Sequence, residues 1–131
     1  MIKIKKNFFD NDFIEELSIL AIKSYKSNKL RTSFSSWNDG IVQFSAVVLI
    51  YEIFHDNKIY ENLCKKFNTK DYNFKFHYWT PGSYIPWHND GNVAEAGTVY
   101  LNKTWNLDWG GLFMWMDDSN KKIYVEKPEY N

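Results

Sequence analysis

An alternation of aromatic and polar residues near the middle of the chain constrains its fold most strongly. Aromatic side chains occupy every second position from Tyr72 to Tyr78, and polar residues lie between them. Successive side chains of an extended strand point to opposite faces of a sheet, so this period of two predicts a strand with one buried face. The sequence Pro81-Gly82-Ser83, which follows, has the composition of a tight turn.

The C-terminal half of the chain carries further short apolar runs. Aromatic residues make up 19% of the 131 residues, a composition that suits half-buried sheets better than a helical bundle. Several short strands at close spacing predict a β-sandwich or jelly-roll core over residues 71–131. We predict strands at Ile85–His88, Gly97–Leu101, Leu112–Met116 and Ile123–Val125.

The N-terminal half, residues 1–70, is predicted to supply helices that support this core. Asp10 or Asn11 can cap a first helix, whose apolar residues follow helical spacing to about Ser27. The fold class is therefore α+β, in a single domain of 131 residues. The remaining predictions for this half are a strand at Ile2–Phe9, a loop at Leu30–Gly40, a strand at Val47–Tyr51 and a helix at Lys58–Phe67.

Charge and cysteine content exclude several classes of protein. Lysine plus arginine and aspartate plus glutamate number 16 each, so the chain lacks the basic field of a nucleic-acid binder. Its longest apolar run, Ala46–Tyr51, is far shorter than the ~20 residues that span a bilayer. The single cysteine, Cys64, excludes an intrachain disulfide and suits a reducing compartment. We expect a soluble, cytoplasmic protein with neither a nucleic-acid nor a membrane partner, and these features leave its oligomeric state open.

His88 and Asp90, which are separated by one residue, are candidate metal ligands. On an extended strand, residues two positions apart project from the same face. One imidazole nitrogen and one carboxylate oxygen supply two of the three protein ligands in the facial triad of non-haem Fe(II) sites. The pair occurs often by chance, so its surroundings decide what it predicts.

The motifs around His88-Asn89-Asp90 follow an order that carries a family resemblance. Tyr78 and the Pro-Gly turn precede the pair, and three further motifs and a tryptophan follow it. Those are Tyr100-Leu101-Asn102, Trp105, Trp109-Gly110-Gly111 and Pro128-Glu129-Tyr130-Asn131. In this order the chain resembles the 2-oxoglutarate- and Fe(II)-dependent dioxygenases of the prolyl 4-hydroxylase type, at motif level from residue 71 onward.

The resemblance implies a double-stranded β-helix, or jelly roll, together with a site and a reaction. His88 and Asp90 would be the catalytic iron ligands. The hydroxyls of Tyr78 and Tyr100 would help to hold the distal carboxylate of the cosubstrate, 2-oxoglutarate. The implied reaction hydroxylates a prolyl residue, another amino acid or a small molecule with release of succinate and CO2, and ascorbate would serve as a reductant.

The chain departs from the family pattern in its last ligand. The family completes its triad with a second histidine on a later strand, followed by an arginine or lysine that pairs with the distal carboxylate. The printed sequence ends at Asn131, and its other histidines, His55 and His77, precede the motif. We therefore expect a C-terminally truncated sequence that lacks its last strands and holds iron weakly on its own.

Other interpretations fit the same residues. Tyr78 and Tyr100 also suit core tyrosines whose hydroxyls reach the surface. A catalytically inactive jelly-roll module could bind a sugar or peptide on its tryptophans without iron, and a truncated oxygenase remnant is a further alternative. A zinc site is disfavoured, because one histidine and one aspartate do not supply its ligand set. We predict that His77 lies on the opposite strand face from Tyr78, His55 in a loop, and Cys64 on the second helix.

Overall fold

Two compact units make up the computed structural model, which describes residues 2–36, 45–70, 72–84 and 95–131. The central unit comprises residues 17–88, and the terminal unit comprises residues 1–16 and 89–131. Strands β1, β2 and β3 form one antiparallel sheet in that order, and β4 pairs antiparallel with β5. The elements are α1 (Asn11–Tyr25), β1 (Arg31–Ser36), β2 (Ser45–Glu52), α2 (Lys58–Lys66), β3 (Lys75–Trp79), a 3-10 turn (Leu107–Trp109), β4 (Phe113–Met116) and β5 (Ile123–Glu126).

Helix α1 begins where the sequence predicts, because Asp10 caps it. The Asp10 carboxylate accepts a hydrogen bond of 2.9 Å from the main-chain N–H of Phe13, one of the amides that a helix start leaves unpaired. The helix ends at Tyr25, two residues before the predicted end at Ser27. Of the apolar residues that follow helical spacing, Leu17 and Ala21 face inward as predicted, whereas Tyr25 is exposed. The buried residues of the helix are Ile14, Leu17, Ser18, Ala21 and Ser24.

The predicted loop at Leu30–Gly40 is wrong in its first half, because Arg31–Ser36 form strand β1. This strand pairs antiparallel with β2 along its full length. A serine-rich composition is typical of loops, but pairing with a neighbour decides the conformation of an edge strand more than composition does. The predicted strand at Val47–Tyr51 is confirmed within β2.

Strands β2 and β3 and helix α2 supply most of the buried core of the central unit. Asn57 caps α2, since its side-chain oxygen accepts a hydrogen bond of 2.9 Å from the N–H of Ile59. The Tyr60 hydroxyl donates to the main-chain oxygen of Tyr72 at 3.1 Å. The predicted helix at Lys58–Phe67 is confirmed, with Phe67 as its C-terminal cap. The buried apolar residues of the unit are Leu17, Ala21, Val48, Ile50, Ile53, Ile59, Tyr60, Leu63 and Phe76.

The aromatic alternation over residues 72–78 forms a strand only from Lys75 onward, as β3. The turn that follows is confirmed. The N–H of Ser83 donates to the main-chain oxygen of Thr80 at 3.0 Å. Gly82 has a φ of 81°, which the third position of a type II turn requires and which a side chain would disfavour.

The hairpin of β4 and β5 confirms the two strands predicted at Leu112–Met116 and Ile123–Val125. The strand predicted at Gly97–Leu101 is wrong, since only Tyr100 pairs, in a single parallel bridge with Tyr130. The strand predicted at Ile85–His88 lies outside the described residues.

The predicted strand at Ile2–Phe9 is also wrong. Asn7 has a φ of 52°, which interrupts an extended backbone. The main-chain N–H and carbonyl of Phe9 are bonded by the side chain of Asn131, in the place where a neighbouring strand would otherwise bond them. The described sheets neither confirm nor contradict the double-stranded β-helix, which stays a prediction.

Candidate functional site

The two predicted iron ligands, His88 and Asp90, lie outside the described residues, within the stretch 85–94. The two predicted cosubstrate residues are described. Tyr78 belongs to the central unit and Tyr100 to the terminal unit. Their surroundings differ, and the difference bears on which hydroxyl can serve a ligand.

The hydroxyl of Tyr78 is engaged within the central unit. It donates to the main-chain oxygen of Ala21 in α1 at 2.7 Å, and the ring packs against Tyr25 with 5.2 Å between centroids. Burial raises the pKa of Tyr78 to about 12, so the hydroxyl keeps its proton at neutral pH. A phenol has one proton to donate, and this one ties β3 to α1. Such a contact fits a core tyrosine, and a carboxylate ligand would have to replace the Ala21 oxygen.

The hydroxyl of Tyr100 forms no hydrogen bond with any described residue. The side chain is half-buried, and burial raises the pKa of its phenol above the usual value. A neutral hydroxyl is a hydrogen-bond donor, and a ligand that accepts a hydrogen bond from a half-buried donor is bound more favourably. Of the two tyrosines, Tyr100 is therefore the better placed to bind an anion.

Asn131 is hydrogen-bonded to the main chain of Tyr100. Sequence spacing does not predict this contact. The N–H of Asn131 donates to the main-chain oxygen of Tyr100 at 3.1 Å. Its side-chain amide makes two hydrogen bonds with Phe9, accepting from the N–H and donating to the carbonyl, each at 2.8 Å. The main-chain oxygen of Asn131 also accepts from the N–H of Asn7 at 2.8 Å. The only sequence signal is an asparagine at the end of the last quoted motif.

The loop before β4 is shaped by its two glycines. Gly110 and Gly111 have φ values of 68° and 78°, a region that residues with a side chain rarely adopt. The indole N–H of Trp105 donates to the main-chain oxygen of Gly110 at 2.7 Å and closes the loop. Trp109 is left 62% exposed.

Both faces of the hairpin formed by β4 and β5 are exposed, although their side chains are largely apolar. One face carries a stacked pair, Trp115 and Tyr124, with ring centroids 5.3 Å apart. Exposed apolar area of this kind marks a binding surface more often than scattered single residues do. Its exposed residues, together with those of the preceding loop, are Leu107, Trp109, Leu112, Phe113, Met114, Met116, Ile123, Tyr124 and Val125. We call these nine residues the apolar hairpin surface.

The other histidines and the cysteine lie where they were predicted. His77 lies on the face of β3 opposite Tyr78, where partial loss of solvent around the ring and the charge of Lys75 lower its pKa. His55 lies in a turn with its ring 4.2 Å from that of Tyr60, and Cys64 is half-buried on α2. Among the residues that the structure describes, no three His, Cys, Asp or Glu side chains come together to hold a metal.

Comparison with known proteins adds no relative. No protein-family model matches the chain, and neither a curated protein nor a solved structure matches it significantly. No helix within the described ranges is both long and apolar enough to cross a membrane.

Proposed function

We propose that the chain is a 2-oxoglutarate- and Fe(II)-dependent dioxygenase of the prolyl 4-hydroxylase type. The observation that carries the proposal is the motif order from Tyr78 through His88-Asn89-Asp90 to Tyr100 and the final Pro128-Glu129-Tyr130-Asn131. In this reaction one atom of O2 enters a C–H bond of the substrate as a hydroxyl. The other atom enters 2-oxoglutarate, which leaves as succinate and CO2. The substrate is a prolyl residue, another amino acid or a small molecule.

The donor chemistry of the proposed ligand pair suits the metal. Fe(II) sites of this class take one carboxylate and imidazole nitrogens on one face and leave the opposite positions for cosubstrate and O2. His88 and Asp90 would supply one nitrogen and the only anionic protein ligand. In the family that the motifs resemble, a second histidine completes the set. Fe(II) would supply the oxidation, and the protein supplies binding, orientation and exclusion of water.

Tyr100 would bind the end of 2-oxoglutarate that is distant from the metal. Burial raises the pKa of its phenol, which favours the neutral hydroxyl, and a neutral hydroxyl can donate a hydrogen bond to a carboxylate. Hydrogen bonds to a charged acceptor are stronger than those between neutral groups. The absence of a hydrogen-bond partner for this hydroxyl among the described residues supports the assignment. Tyr78 remains a second candidate for this role.

The proposal is tested by anaerobic titration of the protein with Fe(II) and 2-oxoglutarate, followed by exposure to O2 and measurement of succinate. A weak visible charge-transfer band that needs both components, and succinate formed after O2 is added, are the expected results. His88→Ala should abolish the band, whereas His55→Ala, a histidine from a turn outside the motif, should leave it unchanged. Equal bands in the two variants would contradict the proposal.

A second candidate function is binding without catalysis. The apolar hairpin surface is the observation that favours it. This surface includes the exposed Trp109 and Tyr124, and Tyr124 stacks on Trp115. Aromatic faces of this kind bind sugars and apolar peptide side chains. A ligand found by glycan or peptide arrays whose affinity drops in Trp109→Ala and is unchanged in His88→Ala would favour this candidate. Loss of its binding in His88→Ala would argue against it.

A further inference from the structure

Asn131, near the end of the terminal unit, is hydrogen-bonded to two other stretches of that unit, residues 7–9 and the segment at Tyr100. Its main-chain N–H bonds to Tyr100, its main-chain oxygen to Asn7, and its side-chain amide to both polar groups of the Phe9 main chain. The neighbouring Tyr130 pairs with Tyr100 in a parallel bridge. Among the described residues no regular strand pairs with the segment around Tyr100, so its recorded main-chain contacts are those with Asn131 and Tyr130.

The anchor of this arrangement is Phe9, one of the most deeply buried residues of the unit. Phe9 is 3% exposed, and its ring packs against Phe8 and Phe13 with centroids 4.9 and 5.1 Å apart. Buried main-chain groups must be paired, and here one amide side chain pairs both groups of Phe9. An asparagine supplies one acceptor and a donor side by side, which few other side chains do. The side chain of Asn131 is thus bonded to a buried neighbour.

We propose that Asn131 is a positioning residue for Tyr100. It holds the Tyr100 main chain against Phe9, so that the Tyr100 hydroxyl, which has no hydrogen-bond partner among the described residues, faces an anionic ligand. This inference rests on the proposed function, in which the ligand is the distal carboxylate of 2-oxoglutarate. Asn131 itself touches no ligand. Its effect on binding passes through Tyr100, and the two residues act as one unit.

Fluorine NMR on protein labelled with 3-fluorotyrosine separates the positioning from the binding. Tyr100→Phe identifies the Tyr100 resonance among the nine tyrosines of the chain. Titration with 2-oxoglutarate, with Zn(II) in place of Fe(II), should move that resonance in the wild type. Asn131→Ala should shift or broaden it before any ligand is added. The matched control is Asn120→Ala, an asparagine of the turn between β4 and β5, and it should leave the resonance unchanged.

The affinity for 2-oxoglutarate tests whether the two residues act together. Asn131→Ala and Tyr100→Phe should each weaken binding about tenfold, the size expected when one hydrogen bond to a charged group is lost. The double variant should weaken it no further. Asn131→Asp, which keeps the acceptor for Phe9 but loses the donor, should fall between the wild type and Asn131→Ala, and it replaces the alanine variant if that one does not fold.

The outcomes distinguish the positioning role of Asn131 from the binding of 2-oxoglutarate. An unchanged Tyr100 resonance in Asn131→Ala would overturn the positioning role, whatever the protein binds. A loss of affinity in the double variant equal to the product of the two single losses would also overturn the positioning role, because the effects of independent residues multiply. A Tyr100 resonance that responds to Asn131→Ala but not to 2-oxoglutarate in the wild type would overturn the proposed function and leave the link between Asn131 and Tyr100 standing.

Discussion

The two units of the molecule are stabilised in different ways. In the central unit, a three-stranded sheet and α2 carry most of the buried apolar residues. Among the described residues of the terminal unit, few apolar side chains are buried. A set of hydrogen bonds centred on Asn131 joins distant segments, and the strands of the hairpin are largely exposed. We therefore expect substitutions of buried residues in the central unit to lower stability, and substitution of Tyr100, the proposed cosubstrate contact in the terminal unit, to lower affinity for 2-oxoglutarate.

We expect the largest effect on stability when a buried leucine is replaced by alanine, and an exposed leucine serves as the comparison. Leu63→Ala, on α2 at 4% exposure, should lower the free energy of unfolding by about 3 kcal/mol, because it leaves a cavity in packed surroundings. Leu107→Ala, in the 3-10 turn at 66% exposure, should change it by less than about 0.5 kcal/mol. Urea unfolding followed by circular dichroism measures both. Similar losses at the two positions would remove the contrast between the units.

The two tyrosines provide a reciprocal test of the same contrast. Tyr78→Phe should cost about 1 kcal/mol of stability, because the Ala21 oxygen loses its donor, and should leave the affinity for 2-oxoglutarate nearly unchanged. Tyr100→Phe should weaken that affinity about tenfold with little change in stability. Isothermal titration and thermal unfolding of both variants measure these effects. The reverse pattern would assign the cosubstrate contact to Tyr78.

The smallest expected effect is a dependence of central-unit stability on pH through His77. Partial burial and the positive charge of Lys75 lower the pKa of His77 below its usual 6.5. The unfolded chain then binds a proton at a higher pH than the folded one, so stability is full above pH 6.5 and falls as the pH drops toward the folded pKa. His77→Gln should flatten this part of the profile, measured by urea unfolding between pH 5 and 8. An equally steep profile in the variant would assign the dependence to other groups.

Elements fixed by neighbouring residues could be predicted from the sequence, and those fixed by distant ones could not. The Asp10 cap and the turn at Gly82 depend on residues three positions apart or fewer, so local composition is enough. Strand β1 exists because β2 pairs with it, and its serine-rich sequence gives no sign of that partner.

In the candidate site, too, features set by nearby residues could be predicted and contacts between distant residues could not. The pair His88 and Asp90 and the two tyrosines could be named because their motifs are short and ordered. The contact between Asn131 and Phe9 joins residues 122 positions apart, and no spacing in the sequence predicts it. The partner of the Tyr78 hydroxyl also depends on tertiary packing, since the Ala21 oxygen that accepts its hydrogen bond lies on another element.

Succinate formation by Asp90→Ala, compared with the wild type and with Asp118→Ala, tests the central claim most directly. Asp118 is an exposed aspartate in the turn between β4 and β5, and its removal should leave the rate unchanged. The account predicts that Asp90→Ala forms no succinate above the protein-free background, because Fe(II) loses its only anionic protein ligand. Succinate formed at the wild-type rate by Asp90→Ala would contradict it.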